Sequence, residues 1–178
     1  MKEEWLEDNG NRCGIGQLLH LTKRAWEKGE ELLVSGLAGG VKGFFTSLLH
    51  RELSPLLAVT ADQDGAEALW EDILFFTPPE ERSEVLLFPS DGISQVGLLP
   101  PWGLYAQRMR ALRLLGEGRA SVVVCPIQGL LGKVVLKEAL ISSLIRVEAG
   151  EERDRETLVR ELISLGYSRV EMVEERGE

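Results

Sequence analysis

A short apolar run followed by clustered glycines and a helix-forming segment constrains this chain more than any other feature. The stretch at residues 31–49 has an apolar run at 32–34, then Gly36, Gly39 and Gly40, and then an amphipathic segment. Glycines at such a place permit a tight strand-to-helix turn, because they adopt backbone conformations that other residues avoid. The stretch therefore predicts a short buried strand, a turn and an amphipathic helix in succession.

The same turn has the outline of a phosphate-binding loop, whose pattern is G-x-x-x-x-G-K-[ST]. Gly36 opens the pattern and Lys42 stands at the lysine position, but Val41 replaces the second glycine and Gly43 replaces the residue whose hydroxyl would bind magnesium. We expect a vestigial loop with no cofactor and no catalytic residue, made of Gly36, Gly39, Gly40 and Lys42. A small nucleotide-binding enzyme with an atypical loop is the alternative.

The amino-acid composition makes several classes of function less plausible for this chain. The 178 residues carry a formal net charge of -9, which argues against a large sequence-independent contact with nucleic acid, because lysines and arginines make such contacts. Cys13 and Cys125 lie far apart and have no metal-site neighbours, so reduced thiols, no metal and a cytoplasmic location are expected. No apolar run reaches the roughly 18 residues of a membrane span, so we expect no membrane association.

The first part of the chain alternates strand and helix patterns. Continuous apolar runs at 55–60, 85–88 and 120–125 predict buried strands. A leading helix ends near Gly29, and Asp62 is placed to cap a helix that follows the second predicted strand. The alternation predicts an α/β fold with a parallel sheet and helices on both faces, a degenerate P-loop-like domain over residues 1–139.

The last part of the chain has a different pattern of apolar and polar residues. Residues 141–147 and 167–173 alternate apolar and polar side chains, and a helical pattern between them ends at Gly166. This strand–helix–strand order predicts an incomplete small α+β domain over residues 140–178. Such a unit is marginally stable alone.

Two features between these parts leave their roles open. The irregular stretch at 89–101 is either a functional loop or a plain crossover. Arg108, Arg110 and Arg113 follow it on a predicted helix. They are expected to form a solvated helix flank, and direct DNA binding through them is the weaker hypothesis.

Four segments, at 34–43, 69–76, 122–131 and 158–178, resemble the amino-terminal region of the bacterial transcription-repair coupling factors. That region is itself similar to the first part of the excision-repair protein UvrB. The most specific segment is the last, which reads Gly-Tyr-x-Arg-x-x-x-Val-x-x-x-Gly-Glu from Gly166. The phosphate loop is intact in UvrB and decayed in the coupling factors, and this chain resembles the decayed form.

The resemblance implies a non-catalytic module of transcription-coupled nucleotide excision repair that recruits UvrA. The small domain beginning near residue 140 would carry the UvrA surface, with Arg169 as the matching arginine and Tyr167 and Glu171 beside it. Contacts with RNA polymerase and DNA would be made only by domains downstream of this sequence. Without the resemblance, Arg169 reads as a solvated strand residue that pairs with Glu171 or a neighbour.

Overall fold

The computed structural model describes residues 14–90 and 102–172. The chain divides into two compact units, Met1–Lys133 (unit 1) and Val134–Glu178 (unit 2). The boundary expected from the sequence, between residues 139 and 140, falls six residues further along the chain.

Unit 1 alternates helices with three parallel strands. In chain order its elements are α1 Ile15–Lys28, α2 Val41–Leu49, β1 Leu56–Thr60, α3 Gln63–Phe76, a short 3-10 turn at Arg82–Glu84, β2 Val85–Leu87, α4 Trp102–Gly116, β3 Val122–Pro126 and α5 Ile127–Leu131. Local chemistry sets several of the ends. Gly29 terminates α1 in the left-handed conformation (φ 64°), and the Asp62 carboxylate starts α3 by accepting a hydrogen bond from the Gly65 N–H at 2.8 Å.

The strands pair in the order β1-β3-β2, so β3 is central. Val122 pairs in register with both Leu56 and Val85. The alternation along β3 supplies two cores. Val122 and Val124 pack with Ala66 and Ile73 of α3 on one face. The opposite face packs against α4; its buried members are Leu86, Phe88, Ala111, Leu114, Ala120, Val123 and Cys125. The predicted parallel α/β fold with helices on both faces is therefore confirmed.

Two expectations about strands in unit 1 are wrong. Residues 32–34 form no strand, and Leu33 is 76% exposed, because nothing in a three-residue apolar run specifies a partner strand. The strand at β1 is covered on one face only. Leu57 and Val59 share the face of Val123 and Cys125 but are largely exposed, since the core under α4 is built from β2 and β3.

Unit 2 contains α6 Lys137–Ser142 and α7 Arg155–Ser164. The strands expected at 141–147 and 167–173 are absent from its described part. Helix α6 occupies the start of the first segment, and residues 167–170 form no regular secondary structure. None of the described side chains from 134 to 172 is buried. The absence of strands and the absence of buried side chains have one physical reason, because an alternating segment forms a strand only where a neighbouring strand and a core exist to pack against it.

Candidate functional site

The glycine turn forms at the start of α2 as the sequence predicts, although no strand precedes it. Gly36 (φ 83°) and Gly39 (φ 57°) are both in the left-handed region, which favours glycine. Gly40 occupies the N-cap position of α2, and no side chain caps the helix there. The turn therefore presents the first N–H groups of α2, which is the geometry that phosphate-binding loops use.

The polar side chains of α2 do not complete a phosphate or magnesium site. Lys42 is exposed and has no ion pair within the described residues. The Thr46 hydroxyl donates to the Lys42 carbonyl at 2.9 Å, and the Ser47 hydroxyl donates to the Phe44 carbonyl at 2.7 Å. Both hydroxyls are thus held within their own helix and cannot replace the missing metal ligand at position 43.

The packing around Gly43 explains why no serine or threonine hydroxyl is present at this position. This glycine is buried where α2 crosses α3, and a Cβ built on it would lie 2.8 Å from the Asp72 carbonyl carbon and 3.0 Å from the Ile73 nitrogen. Both atoms belong to the α3 backbone and cannot rotate aside. A serine or threonine at position 43 therefore requires α2 to move away from α3.

Asp72 adds an electrostatic obstacle at the same place. Its carboxylate oxygen lies 3.6 Å from where a Cβ on Gly40 would be, which puts a negative charge beside the N-terminus of α2. A carboxylate there is stabilised by the helix dipole in the way a phosphate would be. It also repels an incoming anion. The backbone of α3 therefore excludes a larger side chain at position 43, and the Asp72 carboxylate disfavours an anion at the N-terminus of α2.

A shallow apolar depression lies next to the turn instead. It is open to solvent, has a volume of about 380 Å³ and is lined by Gly40, Val41, Phe44 and Phe76. Val41, which stands where a phosphate loop has its second glycine, contributes an exposed apolar side chain to it. The surface beside the glycine turn therefore suits an apolar group better than a phosphate.

Other candidates for catalysis in unit 1 have structural roles. Asp62 caps α3, as expected from the sequence. Burial raises the pKa of the Cys125 thiol, which disfavours the reactive thiolate. Within residues 14–90 and 102–172, no group of three or more His, Cys, Asp and Glu side chains could hold a metal ion.

His50 at the end of α2 is the most deeply buried titratable base described. It is 5% exposed, and its Nε2 has no hydrogen-bond partner in the described part of the chain. Burial lowers the pKa of His50, which outweighs the opposing attraction of the Glu81 carboxylate. The side chain is therefore a neutral, structural imidazole near neutral pH.

The arginines of α4 differ from the expectation of a solvated flank. Arg108 is 6% exposed, donates to the Pro89 carbonyl and stacks over the Phe88 ring with 4.1 Å from guanidinium carbon to ring centroid. That prediction is wrong for Arg108, because an aromatic face and a backbone acceptor replace water around its charge. Arg113 pairs with Glu117 at 2.8 Å, and Arg110 is exposed. These positions do not form a joint phosphate-binding surface.

The loop at 89–101 lies almost entirely outside the described residues. At its start, the Ser90 N–H donates to the Gln63 side-chain oxygen at 3.0 Å, which fixes the exit of the chain from β2. Residues 91–101 lie outside the residues that the structure describes.

In unit 2 the predicted partner-binding residues are all exposed. Gly166 (φ 95°) ends α7, and the Tyr167 N–H donates back to the Leu162 carbonyl at 3.1 Å, which fixes where the segment leaves the helix. Arg169 and Glu171 follow outside regular secondary structure and make no ion pair with each other. Among the described residues, the Arg169 guanidinium forms no ion pair.

The rest of unit 2 is stabilised by local polar contacts. The Asp154 carboxylate caps α7 by accepting from the Thr157 N–H at 2.8 Å and from the Thr157 hydroxyl at 2.7 Å, and these bonds lower the pKa of Asp154. Arg153 pairs with Glu161 at 2.7 Å. Such contacts fix the start of the helix but bury little apolar surface.

Comparison with known proteins found relatives among the transcription-repair-coupling factors. The chain is 30% identical over 155 residues to the transcription-repair-coupling factor of Myxococcus xanthus and 30% identical over 152 residues to that of Bacillus subtilis. The factor of Staphylococcus haemolyticus is 25% identical over 152 residues. Each alignment covers 84% of this chain and 13% of the relative.

The chain is similar to one segment of the transcription-repair-coupling factors. No family model matches the chain, and no solved structure matches it significantly. The chain spans only about an eighth of these relatives, as the 13% coverage states. The similarity therefore does not by itself assign the activities of a whole coupling factor to this chain.

The sequence pattern alone misses three residues of the region around the turn. Asp72, Phe44 and Phe76 meet at the α2–α3 crossing, and their proximity depends on how two helices pack. One signal was available, since a glycine inside a helical pattern, as at Gly43, often marks a close packing contact.

Proposed function

We propose that this chain acts in transcription-coupled nucleotide excision repair as a non-catalytic, protein-binding segment that recruits UvrA. The similarity to coupling factors over 84% of the chain carries this proposal. The packing of α2 on α3 supports the non-catalytic part, because it leaves no room for a hydroxyl side chain at Gly43 and puts the Asp72 carboxylate beside the N-terminus of α2.

The proposed UvrA surface is the exposed segment after α7. Arg169 offers a planar fork of five donors, which matches a carboxylate on a partner in bidentate geometry. Tyr167, 44% exposed, adds an amphipathic ring of the kind enriched at protein interfaces. Glu171 lies two residues beyond and supplies a charge of the opposite sign. Contacts with RNA polymerase and DNA are assigned to parts of the coupling factors that this sequence does not cover.

Titration of the chain with purified UvrA tests the assignment. Arg169→Glu is expected to weaken binding at least about tenfold, because it replaces attraction with repulsion at a desolvated contact. Arg110→Glu is the matched control, since it makes the same charge change at an exposed position of unit 1. Equal effects of the two substitutions, or none from Arg169→Glu, would remove Arg169 from the site.

A further inference from the structure

A cluster of aromatic side chains at the α2–α3 crossing is exposed to solvent. We define the aromatic patch as Val41, Phe44, Phe75 and Phe76. Phe75 is 75% exposed, Phe76 39% and Val41 43%. The Phe76 ring packs edge-on against both Phe44 and Phe75, with centroids 5.1 and 5.0 Å apart. The shallow apolar depression lies between Val41, Phe44 and Phe76. Contiguous exposed apolar surface of this kind marks interaction sites.

An acidic stripe continues from the patch along the exposed face of α3. We define it as Asp64, Glu67 and Glu71, which share a helix face with Phe75 because they lie eleven, eight and four residues before it. All three are exposed, and none forms an ion pair within the described residues. Glu67 accepts one hydrogen bond, from Gln63 at 2.8 Å. The stripe is therefore a row of solvated negative charges that ends in an exposed aromatic ring.

We propose that the aromatic patch and the acidic stripe form one docking surface for a basic amphipathic helix of another protein. An apolar side chain of that helix packs on the exposed Phe75 ring, which contacts Phe76 at the edge of the depression. The helical rise puts Glu71, Glu67 and Asp64 about 6, 12 and 16 Å from Phe75 along the axis. A partner helix alongside α3 therefore matches all three charges with lysine or arginine about one, two and three turns from its apolar anchor. Cations near Phe75 gain a further attraction to the ring face.

Charge distinguishes this partner from the other candidates. Nucleic acid is repelled by Asp64, Glu67 and Glu71. A symmetric contact between two copies of the chain would place the aromatic patches together but bring both acidic stripes to the same interface, and like charges there oppose association. The surface is in unit 1 and does not include Arg169, so the inference goes beyond the proposed function.

A fluorescein-labelled synthetic peptide tests the proposal with the full chain. The peptide is an amphipathic helix of about 16 residues with one phenylalanine anchor and lysines about one, two and three turns from it. Fluorescence anisotropy should show saturable binding that weakens as salt rises, because the pairs are solvent-exposed. A second peptide with glutamate in place of each lysine should not bind.

Variants assign the binding to the surface. Glu67→Lys combined with Glu71→Lys should weaken binding at least about tenfold, about 1.4 kcal/mol, and Phe75→Ser should weaken it about fivefold, with unchanged circular dichroism for both. Glu27→Lys with Glu31→Lys, two exposed acidic positions elsewhere in unit 1, is the matched control and should leave binding unchanged.

Three results would overturn the proposal: no binding of the basic peptide, equal binding of the acidic peptide, or equal losses in the α3 variant and its control. Sedimentation of the chain alone provides the test against a second copy. Self-association that Phe75→Ser abolishes would assign the surface to a dimer instead.

Discussion

Replacing Gly43 with serine would restore the hydroxyl of a phosphate-binding loop, and we expect it to destabilise unit 1 instead of creating a metal site. The Cβ that serine brings would lie 2.8 Å from the Asp72 carbonyl carbon and 3.0 Å from the Ile73 nitrogen. Both contacts are with the backbone of α3, so relief requires α2 and α3 to separate. Their packing buries Phe45 and Ile73 beside the crossing.

The magnitude follows from two opposing terms. Serine has a better helix propensity than glycine, which favours the variant by about 0.5 kcal/mol. Overpacking against a fixed backbone costs about 1–3 kcal/mol. The net loss is about 0.5–2.5 kcal/mol, and for a domain of this size it lowers Tm by about 2–10 °C.

Urea and thermal unfolding followed by circular dichroism measure this loss. Gly103→Ser is the matched control, because Gly103 also lies in a helix and nothing is within 4 Å of a Cβ built there. The control should change the free energy of unfolding by no more than about 0.5 kcal/mol. Equal stability of the two variants would refute the steric argument, as would a Gly43→Ser protein of unchanged stability that binds magnesium and ATP.

Three further predictions address the rest of the structure. Arg108→Ala should lower the free energy of unfolding by about 2–4 kcal/mol, because it leaves the Pro89 carbonyl unpaired and a void beside Phe88. Arg110→Ala, at an exposed position, should lower it by no more than about 0.5 kcal/mol. Similar losses for the two variants in urea titrations would contradict the burial of Arg108. Burial lowers the pKa of His50 in the folded state. Below a pH of about 6.5 the unfolded chain therefore binds a proton more readily than the folded chain, and the free energy of unfolding decreases as the pH is lowered. Glu81 and Glu84 oppose this shift and Arg51 adds to it; His50→Gln should flatten the pH dependence of stability between pH 7 and 5, measured by urea unfolding. Amide hydrogen exchange should be much faster in residues 134–172 than in β3, because unit 2 has no buried side chain in its described part; comparable protection would show that unit 2 has a core of its own.

The sequence predicts the elements whose signals are local and strong. The apolar runs that became β2 and β3 are continuous and are flanked by turn residues, and α3 begins at the Asp62 cap and buries side chains at helical spacing. Such elements are specified by their own residues, so one sequence is enough to locate them.

The remaining differences come from long-range packing. Residues 32–34 have the composition of a strand but no neighbouring strand in the described fold. Arg108 reads as a surface charge, yet Phe88 and the Pro89 carbonyl, twenty and nineteen residues earlier, surround it. The position of Asp72 beside the N-terminus of α2 depends on the angle at which α2 and α3 pack. No local pattern encodes these proximities.

Calorimetry with UvrA and with ATP under the same conditions distinguishes binding of a protein partner from binding of a nucleotide. We expect saturable binding of UvrA that Arg169→Glu weakens, and no binding of ATP with magnesium in the micromolar range. Micromolar binding of ATP that Lys42→Ala abolishes, together with no heat from UvrA, would show that the chain is a nucleotide-binding protein instead.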